Sequence, residues 1–531
     1  MSACDVLIVG AGASGAAAAW RLATQGLAVV CLEQGGWIDQ RAAPSLGLDW
    51  ERALQTAFNA NPNVRRARAD YPVADADTPI KPAVFNGVGG GTLRWGAHFP
   101  RLHPSDFRVR SLDGVAADWP IGYDDLAPYY DLNDRMMGVS GLAGDPANPE
   151  RGARPLPPLP LGAGGTAMAD AFDRLGWHWW PSDSAIASAP IDDREGCNHC
   201  GPCGVGCPRR ARASVDLTYW PAALRAGARL VTGARVRRLV AAARDHIGTV
   251  EYADETGATH QAEARIVVLG ANGMGTARLL QASASPHHPA GIGNHGDLLG
   301  RGLMHHPTAI VTGVFARRLD GYKGAFACAL YSQEFYETDR MRGFVRGYQM
   351  QLVRGSGPVA TALGGYMARV PWGRAHHRRF AREFAHTVSL TVTAEDLPEP
   401  DNRVTLDAAL HDASGVPAPR LSYRLSDNSR RILDHGIARA SEALRAAGAV
   451  DVVVNPLAAA AGFHFLGTTR MGDDPTHAVT DRWGRVHGLD NLYVVDGGLF
   501  VTSGAVNPTP TIQALALRSA DHIAARLKEA R

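Results

Sequence analysis

The sequence predicts an α/β protein in which a Rossmann-like βαβ unit opens the chain and an α+β part carries an antiparallel sheet. Three observations predict it. An apolar run over residues 5–9 leads into Gly10-Ala11-Gly12-Ala13-Ser14-Gly15 and then into a helix-forming stretch. Further buried-strand segments return at residues 266–269 and 491–495. Between residues 305 and 450, strand-like pieces such as Thr387 to Thr393 alternate with Arg-rich segments, as in an antiparallel sheet.

At 531 residues the chain exceeds the ~100–200 of one domain, so two domains or one large composite are expected. Hydrophobic residues at 45% and charged residues at 20% are ordinary for a globular protein. They exclude a disordered chain, a collagen-like fibre and a disulfide-stapled mini-protein. A net charge of +2 gives no electrostatic footprint for nucleic acid or a membrane surface. Only three basic residues are lysines (Lys81, Lys323, Lys528), the rest being arginines. No stretch reaches the ~18 uninterrupted apolar residues of a membrane span. The start, Met-Ser-Ala-Cys-Asp, lacks the basic opening and cleavage site of a signal peptide. A cytoplasmic location is the simplest expectation, periplasmic only through export with a partner.

Taken in order, residues 5–9 suit a buried parallel strand, Ala16 to Thr24 a helix stopped by Gly26, and Ala28 to Leu32 a second strand ending at Glu33. The glycines have separate jobs: a tight turn, backbone approach to a pyrophosphate, and close packing of helix on strand. The helix N-terminus offers free N–H groups and a positive dipole end to phosphate. Glu33, 18 residues beyond Gly15, stands where an acceptor for ribose hydroxyls belongs. This fingerprint alone does not separate NAD from FAD. A second glycine-dense loop spans residues 87–97, and its apolar residues and Trp95 point to order against a flat ligand.

Residues 101–196 are rich in Pro, Asp and Trp without a strong period, and Pro155 to Pro160 has the composition of a surface connector. Leu230 to Val240 has strand character, as does Ile266 to Leu269, which precedes a glycine-rich turn and a helix from Thr276 to Gln281. The histidine pairs His305/His306 and His376/His377 have no carboxylate or further histidine at ligand spacing, so they are expected as surface or structural residues. Asn491 to Val495 is a strand running into Asp496-Gly497, and Thr509 to Arg526 an amphipathic closing helix.

These motifs, taken together, resemble the glucose–methanol–choline (GMC) oxidoreductases. The resemblance rests on GAGASG with Glu33, Val88-Gly-Gly-Gly-Thr92, and Val267-Val-Leu-Gly-Ala-Asn-Gly-Met-Gly-Thr276. It extends to His464-Phe-Leu-Gly-Thr-Thr-Arg-Met-Gly472, Asn491-Leu-Tyr-Val-Val-Asp-Gly497 and Val506-Asn-Pro-Thr-Pro-Thr511. The matches come in the family's order and reach both ends of the chain. The resemblance implies FAD, held non-covalently unless shown otherwise. It implies a discontinuous Rossmann-like FAD-binding domain (1–100, 197–304 and 455–531) and a substrate domain (101–196 and 305–454) whose antiparallel sheet roofs the flavin.

By the same resemblance, His464 falls at the family's catalytic histidine and Asn507 at the second catalytic position, which is His or Asn in relatives. Cofactor contacts are implied for Gly10, Gly12, Ser14, Gly15, Glu33, Gly89, Gly90, Gly91 and Thr92. Val236 is implied near the adenine, and Asp496, Gly497, Asn507, Pro508 and Thr509 nearer the flavin. The family loop often carries Ser and Asn where this chain has Gly91 and Trp95, which weakens the transfer there.

Seven cysteines are present. Cys4, Cys31 and Cys328 sit among apolar neighbours and are expected as small core residues. The other four, Cys197, Cys200, Cys203 and Cys207, have the spacing of a bacterial ferredoxin run, which favours a single iron–sulfur cluster over a tetrahedral zinc site. The region also resembles the large subunits of gluconate and fructose dehydrogenases within the family. A reduced thiol-rich loop or a local disulfide stays open as an alternative.

The implied activity is FAD-dependent oxidation of a sugar, sugar-acid or polyol hydroxyl. His464 would take the hydroxyl proton, and electrons would pass to an external acceptor such as a subunit or cytochrome. Two alternatives stand beside it: an oxidase of the same family that reduces O2 to hydrogen peroxide, and a flavin/iron–sulfur electron carrier. A carrier has no need of a proton acceptor such as His464 at the flavin.

Overall fold

The computed structural model describes residues 4–47, 49–325, 329–365 and 370–529. Cys328 lies outside them. Its first layer is a five-stranded parallel sheet in the order Leu492–Val494, Ala264–Leu269, Cys4–Val9, Val29–Leu32, Arg229–Val231. Val6, Leu7 and Ile8 on the central strand are fully buried, as expected for a parallel strand covered on both faces. Cys4 and Cys31 are buried there too.

The helix Ala13–Thr24 lies on one face of this sheet, and Ala16, Ala17, Ala18 and Ala19 are all buried. These small side chains let the closing helix, Thr509–Glu529, pack beside it, tied by an Arg21 Nε to Asp521 Oδ1 contact of 2.6 Å. The two ends of the chain therefore meet at the fingerprint.

The second sheet is antiparallel, in the order Ala449–Asn455, Thr308–Phe315, Thr387–Ala394, Tyr348–Val353, Leu330–Ser332, Trp180–Pro181. Alternation along its strands separates two environments. Val311, Met350, Leu352, Leu390 and Val392 join a core with Ile432, Leu433 and Leu444 of the helix Asp427–Ala446. Their neighbours Ile310, Gln351, Val353, Thr391 and Thr393 face the principal cavity.

Three local features differ from the sequence expectation. Leu230 to Val240 is two strands, Arg229–Val231 in the parallel sheet and Arg235–Ala243 in a three-stranded antiparallel sheet. Gly233, at φ +66°, makes the left-handed corner between them. The stretch without a period holds two long helices, Tyr123–Met137 and Gly162–Leu175, besides the short helix Val109–Asp113. The first carries Pro128 inside it and is held from outside, Tyr130 Oη lying 2.7 Å from Thr511 Oγ1. The helix Asp427–Ala446 went unread because the region's strands dominated its pattern; the Ser426 side chain caps it by accepting the Ser429 N–H.

Arg346, 1% exposed, links the segment around residue 106 to the antiparallel sheet. Its guanidinium donates to Glu395 Oε2 at 2.9 Å, to Asp113 Oδ2 at 3.2 Å, and to Asp106. Replacing Arg346 by Met should cost about 3–5 kcal/mol, because buried carboxylates lose their partner. Arg318→Ala, at an exposed pair with Asp320, should leave stability nearly unchanged. Denaturation midpoints compare the two, and equal shifts would contradict the weight given to the buried cluster.

Candidate active site

A cavity of about 830 Å³ opens at the carboxyl ends of the parallel strands and runs under the antiparallel sheet. Cofactor sites of this fold class lie at that edge, with volumes of about 300–1,000 Å³. The fingerprint forms one end. A Cβ on Gly10 (φ +99°) would lie 2.6 Å from the Gly270 carbonyl oxygen, and one on Gly15 would lie 1.9 Å from the Gly10 oxygen. Both glycines are demanded by backbone contact. Gly12 differs: a Cβ there would meet nothing nearer than the Gly90 Cα at 4.0 Å, because its open side is the cavity. Gly10, Gly12 and Ser14 line the cavity, whereas Gly15 lies behind its wall as the packing glycine.

Glu33 ends the second strand and is buried. Its carboxylate accepts the Ala11 N–H at 2.9 Å and the Gly35 N–H at 2.8 Å, which fixes both oxygens at the cavity wall. Burial raises its pKa, and these amides oppose the rise. Val236, on the strand after the Gly233 corner, lines the same end.

The second glycine loop closes against the first. Gly89 (φ +112°) donates its N–H to the Ala11 oxygen at 3.0 Å, and a Cβ on Gly90 would lie 2.9 Å from the Gly12 Cα. Gly90, Gly91 and Thr92 line the cavity, and Gly89 supports them from behind. The Thr92 hydroxyl donates to the Gly89 oxygen at 2.6 Å. The buried Arg212 guanidinium donates to the Thr92 and Leu93 oxygens at 2.5 and 2.8 Å, and Trp95 Nε1–H to the Ala213 oxygen at 2.9 Å. The loop is thus ordered, as its composition suggests. Arg94 also lines the cavity, where burial lowers its pKa to about 10.

The third contribution comes from the C-terminal segments. Asp496 is buried, accepts the Gly498 N–H at 2.9 Å and the Thr276 hydroxyl at 2.5 Å, and is pushed up to about 6 by burial. Asp496, Gly497, Asn507, Pro508 and Thr509 all line the cavity, the last three at the start of the closing helix. The buried Asn507 Oδ1 has no hydrogen-bond partner among the described residues.

His464 lines the same cavity as Asn507. Burial, with His306 and His305 nearby, pushes its pKa well below the ordinary histidine value. His306 Nδ1 lies 2.8 Å from His464 Nδ1, and His306 Nε2 lies 2.9 Å from the Gly504 oxygen. His305 Nδ1 lies 2.7 Å from the His464 backbone oxygen. This histidine pair is structural and fully buried, not on the surface, whereas His377 is exposed on the helix Arg374–Glu383. The role of His306 escaped the sequence because its partner is 158 residues away. His98 and Arg94 were missed as well. His98 lines the cavity with Nδ1 2.6 Å from the Ser182 hydroxyl; only its nearness to the glycine loop hinted at it.

The cysteine run does not arrive as a metal site. Among the described residues no three His, Cys, Asp or Glu side chains converge as ligands for an ion. Cys197 Sγ accepts the His199 N–H at 3.4 Å, Cys207 Sγ accepts the Arg212 N–H at 3.5 Å, Cys203 sits in a short helical turn, and Cys200 is exposed. Burial pushes the Cys197 thiol up to about 12, against thiolate formation. The expectation of an iron–sulfur cluster finds no support in this arrangement. Of the loop, only Gly204 reaches the cavity. Among the described residues no helix is long and apolar enough to cross a membrane.

Comparison with known proteins agrees with this geometry. The GMC oxidoreductase pattern matches residues 175–308 and 398–516, and an NAD(P)-binding Rossmann-like pattern matches residues 8–70. The chain is 42% identical to 2-methyl-1,2-propanediol dehydrogenase of Mycolicibacterium austroafricanum, over 99% of this chain and 96% of the relative. It is 30% identical to the fructose dehydrogenase large subunit of Gluconobacter japonicus, over 99% and 98% of the two chains. The fold is similar to a solved formate oxidase of Aspergillus oryzae RIB40, studied for FAD modification, with a TM-score of 0.65 at 15% identity over 99% of both chains. With matched segments from the fingerprint to the closing helix and this identity along the whole chain, the protein belongs to the GMC oxidoreductase family.

Proposed function

We propose that this protein is an FAD-dependent alcohol dehydrogenase that oxidises a hydroxyl of a small diol, sugar or sugar acid and passes the electrons to an external acceptor. The observation that carries the reading is that His464 and Asn507 line one cavity with the dinucleotide fingerprint. The residues present fit FAD. Gly12 and Gly91 leave space on the cavity side where a side chain would intrude, and Asn507 offers an unpartnered buried oxygen. Gly10, Gly12 and Ser14 would hold the pyrophosphate, Glu33 and Val236 the adenosine, and Gly90, Gly91, Thr92, Asp496, Gly497, Pro508 and Thr509 the flavin half. Bound FAD supplies a hydride acceptor.

His464 accepts the proton of the substrate hydroxyl. A neutral, half-buried imidazole suits that step, and a positioned base typically contributes ~10²–10⁴-fold. The Asn507 amide orients the same oxygen without changing charge. Thr391, Thr393 and Gln351 on the overlying sheet present polar groups to the cavity, which suits a substrate with more than one hydroxyl. The proposed division into cofactor and substrate parts is supported by the sheets. The parallel sheet draws its strands from 1–100, 197–304 and 455–531, and the antiparallel sheet draws nearly all of its own from 101–196 and 305–454. An external acceptor is favoured because two relatives are named dehydrogenases, one of them a large subunit.

Gly12→Leu should fold yet retain no FAD, since the added side chain enters open cavity space rather than packed backbone. Absorption spectra and thermal melts check both halves, and stoichiometric FAD in a folded variant would overturn the cradle assignment. His464→Ala should keep FAD but slow its reduction by alcohol about 10²-fold or more, and Asn507→Ala should slow it less. Anaerobic stopped flow measures both; unchanged reduction in the His464 variant removes it as the base.

The pH dependence follows from the sign of the shift. His464 is lowered below 6.5, so it stays the unprotonated base as pH falls through that value. The groups facing it, His305 and His306, are lowered to about 4 and stay neutral over the same range. Flavin reduction by alcohol should therefore be flat from pH 8 to 6 and decline only in more acidic solution. A decline centred near 6.5 would contradict a neutral base of lowered pKa.

A further inference from the structure

The structure assigns a positioning role to His306: we infer that the Gly504 carbonyl, acting through His306, locks His464 in the tautomer with its proton on Nδ1 and a lone pair on Nε2. This inference rests on the reading of His464 as the base, and supplies the reason that its reactive nitrogen is always ready to accept a proton.

The Gly504 carbonyl oxygen cannot change its role. A backbone carbonyl oxygen only accepts hydrogen bonds. Gly504 O lies 2.9 Å from His306 Nε2, so that nitrogen carries a hydrogen. His306 is 1% exposed, and burial keeps it neutral, with its pKa lowered to about 4. A neutral imidazole has one N–H, so His306 Nδ1 is left as an acceptor. At 2.8 Å from it, His464 Nδ1 must be the donor, since two lone pairs at that distance repel. The two rings stand nearly perpendicular at 89°, their centroids 4.8 Å apart. Neutral His464 has then spent its one hydrogen on Nδ1, and Nε2 is bare.

The anchor is itself held. Gly504 has φ +62°, and a Cβ there would lie 2.4 Å from Leu102 Cδ2, so the turn that aims its carbonyl depends on glycine. On either side, the Ser503 hydroxyl lies 2.9 Å from the Asp396 backbone N, and the Ala505 N–H donates to the Tyr336 hydroxyl at 3.1 Å. His305 holds the other side of the base, donating from Nδ1 to the His464 backbone oxygen at 2.7 Å. The partner of His464 is a neutral ring and not a carboxylate. The relay therefore fixes orientation and tautomer without raising the basicity of the resting imidazole, in keeping with its lowered pKa.

The test has a direct readout and a kinetic one. In oxidised, FAD-loaded enzyme labelled with ¹⁵N-histidine, and with His464 assigned by comparison with His464→Gln, the Nδ1 resonance should be of N–H type and Nε2 of lone-pair type. His306→Ala frees the ring, and the Nε2–H tautomer should then appear. Flavin reduction at saturating alcohol should slow by about 10-fold or more, a wrongly set tautomer costing up to about 10⁴-fold in a related geometry, while FAD content and half-saturating alcohol change less than about threefold. His306→Asn, whose side-chain oxygen can stand in as acceptor for Nδ1–H, should recover much of the lost rate. An Nε2–H resonance for His464 in the wild-type enzyme overturns the inference, as does wild-type reduction in His306→Ala. The tautomer spectrum needs no variant of His306 to fold. It is also independent of whether His464 is the base, which the activity of His464→Ala decides.

Discussion

Everything at the centre of this protein depends on backbone running against backbone with no side chain between. Gly10 touches Gly270, Gly15 touches Gly10, and Gly90 touches Gly12, each within a distance that a single methyl group would violate. These contacts draw three segments far apart in sequence onto one edge of the parallel sheet. They leave the helix N-terminus at Ala13 and the turn at Gly91 facing a common space. The closing helix then places Asn507 and Pro508 at the same edge, because its flank packs on the alanine face of the first helix. A long, discontinuous binding site is the product of a few small residues.

The second constraint is electrical. The histidines around His464 are neutral: His464, His306 and His305 all have lowered pKa values from burial, and His306 contacts His464 with no carboxylate intervening. The acidic groups nearby are tied up by hydrogen bonds: Asp396 accepts the His305 backbone N–H at 3.2 Å, Glu33 is bound to backbone amides, and Asp496 is bound to Thr276 and Gly498. A base without charge also suits a step in which a hydroxyl proton and a hydride leave the same substrate.

The sequence was most legible where local pattern and function coincide. The βαβ unit, Glu33, the strand into Asp496 and the closing helix each announce themselves within a few residues, because their constraints are local: strand period, glycine spacing, helix amphipathicity. Legibility fell where tertiary contact decides. The Tyr123–Met137 helix contains a proline and is held by Thr511 and Gln513 from the far end of the chain. The strand expected over Leu230 to Val240 breaks at one left-handed glycine. His306 sits behind His464 through a contact that no spacing encodes, and the four cysteines have the spacing of a cluster without the convergence of one. Resemblance to a family pointed to His464 and Asn507, which line the cavity; it did not reveal the histidine behind His464.

The central claim is that an alcohol delivers hydride and proton at the site shared by His464, Asn507 and the fingerprint. Anaerobic stopped flow with a 1,2-diol, unlabelled and deuterated at its carbinol carbon, tests it in a single turnover. The account predicts bleaching of the oxidised flavin absorbance in one phase, slower for the deuterated diol. Absence of bleaching with every diol, sugar and sugar acid offered, or bleaching at a rate that ignores deuteration and the loss of His464, would contradict it.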